Sequence, residues 1–451
     1  MIKRTFILAV DLLLFIFLLI VIMPIIAIYM YIPRQRFRGK ERILLIIDTA
    51  FSFNSIETKS KREYILQRNL GGFFSLVYNW YPILGAHPDD QNVTFEGSMR
   101  FINFAQGHVF IESKMAWIGV LAGLPRTNFL LSQFLSIMKI RKLVLRENVS
   151  VLRGCDPFLT GLYGLVISKM TGRPFALRIG ADFDLMFKKN KSMIFKKIFK
   201  WYALQKMIAK YVLPRADLMM AANRSYLDYA LNNGARKEAS VITRFGNIID
   251  PVHFTEPATR PLDRARYPFI GAPFGVYVGR LTKIKMAQDL IYVGRELKQR
   301  GEFSEINIVM IGNGDLREEM EKMARDFDLG KSMHFVGECR QNDIAGILPH
   351  ASAYLAPHSG LSLVEAALAG IPLIAYDYEW HPELVKQGLT GELVPHHDWK
   401  QMAESFGRIV RDPGYGKTLG ANARKLALEM MDQKKIQAFE SEQYQKLFTM
   451  A

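Results

Sequence analysis

From Leu12 to Ile32 the chain runs 21 positions without a charged side chain, interrupted only by Pro24. At 1.5 Å per residue that helix is roughly 31 Å long, enough to cross a hydrocarbon layer of about 30 Å. A short β-rich run, Ile43 to Ile47, ends in Asp48 and reads as a first buried strand. From there to about Ile140 no period stands out, and Gly71-Gly72 reads as a loop. After Val149 a rhythm appears: strand 149–153, helix 158–170, strand 174–179, a helix, strand 217–222, a helix, strand 241–245. It resumes with strand 274–278, a helix from Ala287, strand 306–311, a helix from Asp315, strand 334–336, strand 352–357, helix 361–369 and strand 373–376. Apolar strands alternating with helices mark parallel sheets covered on both faces. The fold class expected is α/β, two Rossmann-like doubly wound domains behind an N-terminal transmembrane helix. The boundaries expected are 1–41 for anchor and basic linker, 42–250 for the first domain, 251–430 for the second, and 431–451 for a C-terminal helix able to cross back.

Charge refines this picture. The chain has 59 basic and 43 acidic residues, net +16, which suits anionic lipid, phosphorylated substrates or nucleic acid. No zinc-finger spacing, RNA-binding aromatic signature or basic region with heptads is present, which disfavours nucleic acid. Lys3 and Arg4 precede the apolar run, while Arg34, Arg36, Arg38, Lys40 and Arg42 follow it. The heavier basic flank places the body in the cytoplasm, with a single-pass membrane protein expected. Asp11 lies at the opposite edge of the run. Cys155 and Cys339 are far apart and form no metal or redox pair. Between Lys188 and Lys210 eight lysines accompany Ile194, Ile198, Trp201, Leu204 and Ile208, which share one helical face. This stretch is either an ordinary surface helix or an interfacial one on anionic lipid.

Candidate chemistry concentrates in 354–394. A turn at Ser359, Gly360, Leu361 and Ser362 feeds a helix N-terminus, whose free N–H groups and dipole suit a phosphate. Glu365, one turn on, either accepts hydrogen bonds from sugar hydroxyls or merely favours the helix. Gly279, Arg280 and Leu281 follow a strand, with Lys285 beyond; two cations at the mouth of a parallel sheet suit a diphosphate, and arginine can grip it bidentately. Gly312 and Gly314 form a small-residue turn after the next strand. Asp182-Phe183-Asp184 spells a possible metal pair, and Arg153 and Asp156 end another strand. His87, His381, His396 and His397 have no metal-binding spacing and read as surface or packing residues.

Gly360-Leu361, Glu365-Ala366, Gly370-Ile371-Pro372 and Pro382-Glu383-Leu384-Val385, with Gly279-Arg280 and Lys285, resemble the donor site of family 4 glycosyltransferases. The resemblance covers roughly residues 145–410. It implies the GT-B fold, a nucleotide diphosphate sugar as donor and retention of anomeric configuration. Glu365 would hold the donor ribose, and Ser359–Ser362, Gly279, Arg280, Lys285, Gly312 and Gly314 would bind the nucleotide sugar. Arg280, Lys285 and Asp182 would be catalytic, Asp182 on the acceptor side that Arg153 and Asp156 would also line, and Gly71-Gly72 would be either a glycine turn near the acceptor or simply a loop. No metal or other cofactor is implied, because the cations neutralise the leaving diphosphate. The family's first motif glutamate falls at Pro357, followed by His358. The acceptor expected is a lipid-linked or surface glycan; the alternative is an inactive, membrane-tethered binding protein of the same fold.

Overall fold

The structure is a computed structural model describing all residues except 1, 32–40, 59–61, 87–89, 91–92, 192, 197, 245–248, 302–305 and 451. Arg34, Arg36, Arg38 and Lys40 of the basic flank, His87, and the end of the strand expected at 241–245 lie outside the described residues. The chain forms two compact units: 1–181 with 195–243 and 434–451, and 182–194 with 244–433.

The first unit holds strands β1 (Ile43–Ile47), β2 (Leu76–Leu84), β3 (Met99–Ala105), β4 (His108–Lys114), β5 (Val151–Gly154), β6 (Phe175–Ile179), β7 (Leu218–Ala221) and β8 (Ser240–Ile242). They lie in the order β3-β4-β2-β1-β5-β6-β7-β8, all parallel except β3, which runs antiparallel to β4. Every residue of β1 and β6 is buried. Such strands read as continuous apolar runs because both faces are covered.

The stretch without visible period is β2–β4, and burial explains why. Asn79, His108, Glu112 and Ser113 are all buried there, so polar side chains occupy inward positions. Glu112 accepts from the Phe53 N–H at 2.7 Å and from Arg100 Nε at 2.7 Å, which compensates its desolvation. Gly71 and Gly72 sit at φ 67° and 91°, the left-handed region that glycine enters without strain.

The second unit holds β9 (Phe274–Val278), β10 (Asn307–Ile311), β11 (Met333–Gly337), β12 (Ala353–Ala356), β13 (Leu373–Tyr376) and β14 (Gly391–Val394), all parallel, in the order β11-β10-β9-β12-β13-β14. Phe274, Val276 and Val278 enter one core cluster and Tyr277 the other, so β9 feeds both faces. The chain leaves β9 first toward β10 and β11, then returns to build β12 on its other side. That reversal is a topological switch point, where the carboxyl ends of neighbouring strands part.

The basic stretch 188–210 is not one helix. A helix at Phe183–Asn190 belongs to the second unit and another at Tyr202–Val212 to the first. On the latter Gln205, Ala209 and Val212 are buried while Trp201, Met207 and Tyr211 are exposed. The expected apolar face, phased on an unbroken helix, is therefore not the packed one.

Candidate active site

At the switch point of the second unit, the turn after β12 enters the helix Leu361–Leu368. Gly360 precedes the helix as its N-cap, and a Cβ there would meet nothing within 4 Å, so open space lies beside the turn. Tyr354, fully buried, organises the turn: its hydroxyl reaches the Val278 carbonyl at 3.1 Å, Ser362 Oγ at 2.9 Å and Ser359 Oγ at 3.1 Å. It ties β12 to the end of β9.

His381, also fully buried, accepts from the Ser359 N–H at 3.1 Å and faces the Tyr376 carbonyl through Nδ1 at 2.9 Å. Burial pulls its pKa down to about 4, so the ring is a neutral Nδ1–H tautomer. This corrects the expectation at Ser359, whose N–H is already donated. The amides left at the helix start are those of Gly360, Leu361 and Ser362. It also moves His381 from packing residue to organiser of the turn.

Gly279-Arg280-Leu281 leaves β9 and meets the turn after β10 backbone to backbone. The Gly279 N–H donates to the Ile311 carbonyl and that of Leu281 to the Asn313 carbonyl, both at 2.9 Å. A Cβ on Gly312 would lie 2.0 Å from the Gly279 oxygen, and one on Gly314 2.2 Å from the Leu281 oxygen. These two glycines are required to seat the arginine loop. Arg280 is exposed; Lys285, half-buried, ends the turn Lys283–Lys285. Burial pulls the Lys285 pKa down to about 8, Arg280 adds to that, and Glu379 opposes both.

Glu365 is 8% exposed, and its Oε1 stands 4.0 Å from His253 Nε2, which itself faces Gln341 Oε1 at 2.8 Å. A nearly buried carboxylate with so distant a neighbour retains acceptor capacity. Glu379 is a functional candidate that sequence reasoning missed. It adopts φ 49°, a conformation uncommon for a residue with a side chain and a frequent mark of functional sites. Its Oε2 lies 3.3 Å from His358 Nε2, while His358 Nδ1 faces the Ile284 carbonyl at 2.8 Å. Burial pushes the Glu379 carboxyl up, but the hydrogen bond and charge of His358, with the charge of Lys285, hold it below the usual glutamate range.

Asp182 belongs to this unit, not to the acceptor side of the first one. Its Oδ1 accepts the Leu185 N–H at 2.8 Å, capping the helix Phe183–Asn190, and that helix packs on the Lys283–Lys285 turn. Burial raises the Asp182 pKa, with Glu379 and Asp184 adding to it. Arg153 and Asp156, expected to line the acceptor side, are consumed by the fold. Arg153 is 2% exposed and pairs with Glu440 at 3.2 Å; Asp156 accepts from the Phe158 N–H at 2.8 Å and Thr160 Oγ1 at 2.7 Å. No cluster of three or more metal-ligating side chains occurs among the described residues. A cavity of about 450 Å³ lined by Tyr267, Phe269 and Cys339 lies along β11 and gathers none of the residues above.

Residues 261–426 match the family described as Glycosyl transferases group 1. The alpha-D-kanosaminyltransferase of Streptomyces kanamyceticus is 24% identical over 301 residues, 64% of this chain and 75% of the relative. For several other curated relatives the match spans about half of their own length, for example 50% and 47%. Among solved structures, sucrose-phosphate synthase from Thermosynechococcus elongatus superposes with a TM-score of 0.70 at 16% identity, over 91% of this chain and all of that one. Anabaena HepE in complex with UDP and glucose gives 0.64 at 14% identity, over 89% and 99%. With its two doubly wound units and the group 1 match inside the second, the chain is a glycosyltransferase of the GT-B fold.

Proposed function

We propose that the protein transfers a sugar, with retention of configuration, from a nucleotide diphosphate sugar to a lipid-linked or surface-glycan acceptor at the cytoplasmic membrane face. The observation that carries this reading is the convergence, at one switch point, of two cations, an open helix start and a nearly buried, under-partnered carboxylate. Arg280 and Lys285 face the diphosphate, where negative charge grows as the glycosidic bond breaks. The amides of Gly360, Leu361 and Ser362 add donors to the same phosphates. Glu365 accepts from ribose hydroxyls. Glu379, held by His358, stands at the turn after β13 and offers the donor sugar a carboxylate that position 357 lacks. Gly279, Gly312 and Gly314 hold the arginine loop in place, and Asp182 acts by anchoring the helix packed on the Lys285 turn.

The leaving phosphate takes the acceptor proton, so no side-chain nucleophile is required, and the cations make a divalent metal unnecessary. Turnover of a panel of nucleotide diphosphate sugars by the detergent-solubilised chain, with and without chelator, tests the reading. Product with the donor's anomeric configuration, formed equally in chelator, is expected. Failure to bind or turn over any nucleotide sugar sinks it in favour of an inactive binding protein. Loss on chelation, restored by Mn²⁺ or Mg²⁺, sinks the metal-free step alone.

A further inference from the structure

The N-terminal helix, Ile2–Tyr31, runs unbroken through Pro24 and contains an apolar segment, Phe6–Tyr29, long enough to cross a membrane. It packs on the helix Pro125–Arg146 and on the helix Leu159–Thr171 of the first unit. Asp11 is fully buried at this contact. Its Oδ1 accepts from the Thr127 N–H at 3.0 Å, its Oδ2 accepts from the Arg126 N–H at 3.2 Å, and its carbonyl accepts from Thr127 Oγ1 at 3.1 Å. A carboxylate from one helix thus caps the N-terminus of another, where the dipole favours a negative charge. Further along, the Arg141 guanidinium stacks 4.5 Å over the Tyr29 ring.

These two contacts fix direction and extent. Asp11 meets Arg126 and Tyr29 meets Arg141, so the helices run parallel, side by side, over roughly 27 Å of the first. Asp11, Phe15, Leu18, Ile22, Ile25 and Tyr29 recur at the spacing of one helical face and are the less exposed positions. The opposite face, Leu13, Phe17 and Ile20 among it, is 61–67% exposed and carries no polar side chain. The partner helix bears Arg126, Lys139, Arg141, Lys142 and Arg146 and packs in turn on the Leu159–Thr171 helix of the body. It cannot enter hydrocarbon with its neighbour. Lying docked along it and crossing a bilayer of about 30 Å are therefore mutually exclusive.

Accepting the membrane reading above, we infer that the N-terminal helix lies in the plane of one leaflet, clamped along the Pro125–Arg146 helix through Asp11, and does not span. The lipid is the occupant of its bare face because the surroundings match an interface. The segment Ala116–Leu124, uncharged throughout, leads into the capped helix and leaves Val120 93% exposed. The Tyr202–Val212 helix packs on the same Leu159–Thr171 helix and exposes Tyr211 and Lys210, with Lys200 and Trp201 exposed just before it. Aromatic and basic side chains beside an apolar face are what headgroup and acyl boundary select.

Nitroxide labels on Phe6→Cys, Phe17→Cys and Ile28→Cys, which share the outer face, each in the full chain reconstituted into phosphatidylethanolamine–phosphatidylglycerol vesicles, read its depth. Native Cys155 and Cys339, their thiols pushed up by burial, react slowly under the labelling conditions. The expected result is one shallow depth shared by all three labels. A deep Phe17→Cys label between two shallow ones shows a spanning helix and overturns the inference while leaving the membrane reading intact. Labels that all stay open to aqueous quencher overturn both. Labels protected without vesicles, in a stable dimer, assign the face to a second copy and overturn the inference as well.

Discussion

The two units carry the same switch point and treat it in opposite ways. In the first, β1 and β5 part with charged groups at their ends, yet each charge is already matched inside the fold. Asp48 pairs with Arg68, and Glu440 takes both Arg153 and Arg178 at 3.2 Å, all of them buried. In the second, β9 and β12 part beside an exposed Arg280, a half-buried Lys285 and glycine-built turns. One crevice is plugged with its own counter-ions and the other is left open. Cations at strand ends thus signal a ligand where, like Arg280, they stay exposed instead of being ion-paired inside the fold.

The sharpest way to break this contrast is to unplug the first unit. Glu440→Ala leaves two arginines buried without their shared partner, a loss of about 3–5 kcal/mol. A fall in thermal or chemical stability of that size is expected, and an unchanged midpoint would mean that water replaces the carboxylate. On the open side, Arg280→Ala should cut kcat by about a hundredfold or more, since its contact strengthens as charge develops. Arg280→Lys should recover only part, lacking the bidentate fork. Equal loss in kcat for Arg280→Ala and Lys285→Ala would remove the distinction between them.

Glu365→Ala should act on donor KM with kcat nearly kept, by about 1–3 kcal/mol for a charge-assisted hydrogen bond. A well-folded variant with unaltered KM ends the ribose assignment. The smallest effect is pH dependence. Lys285 in the free enzyme loses its proton near pH 8, and only the protonated form attracts the diphosphate. Donor KM should therefore rise above that pH, by up to about tenfold per unit. Glu379→Gln removes the anion that props the lysine up, so the rise should start at lower pH; Lys285→Arg should abolish it.

Legibility in the sequence followed how locally each feature is specified. The strands of the second unit announce themselves because β9, β10, β12 and β13 are buried on both faces and contain almost no polar residue. The β2–β4 region hid because polar side chains are buried within it, Glu112 and Ser113 paired to the Phe53 N–H, Arg100 and Trp80. Arg153 looked like a site residue because its partner stands 287 positions away in the last helix. Glu379 escaped notice for a related reason. Its meaning comes from His358, on a different strand end, and from a left-handed backbone angle that no pattern of residue types declares.

The plug at Glu440 also orders events on the ribosome. The first unit closes with residues 434–451, and these emerge only after the entire second unit has been made. At about 5–20 residues per second this leaves a gap on the order of tens of seconds. Throughout it Arg153 and Arg178 have no Glu440, and the segment bearing Asp11 and Thr127 is already complete. The nascent chain therefore carries its N-terminal helix already docked while its first crevice is still unsealed, and the second unit is finished before the one that precedes it in sequence.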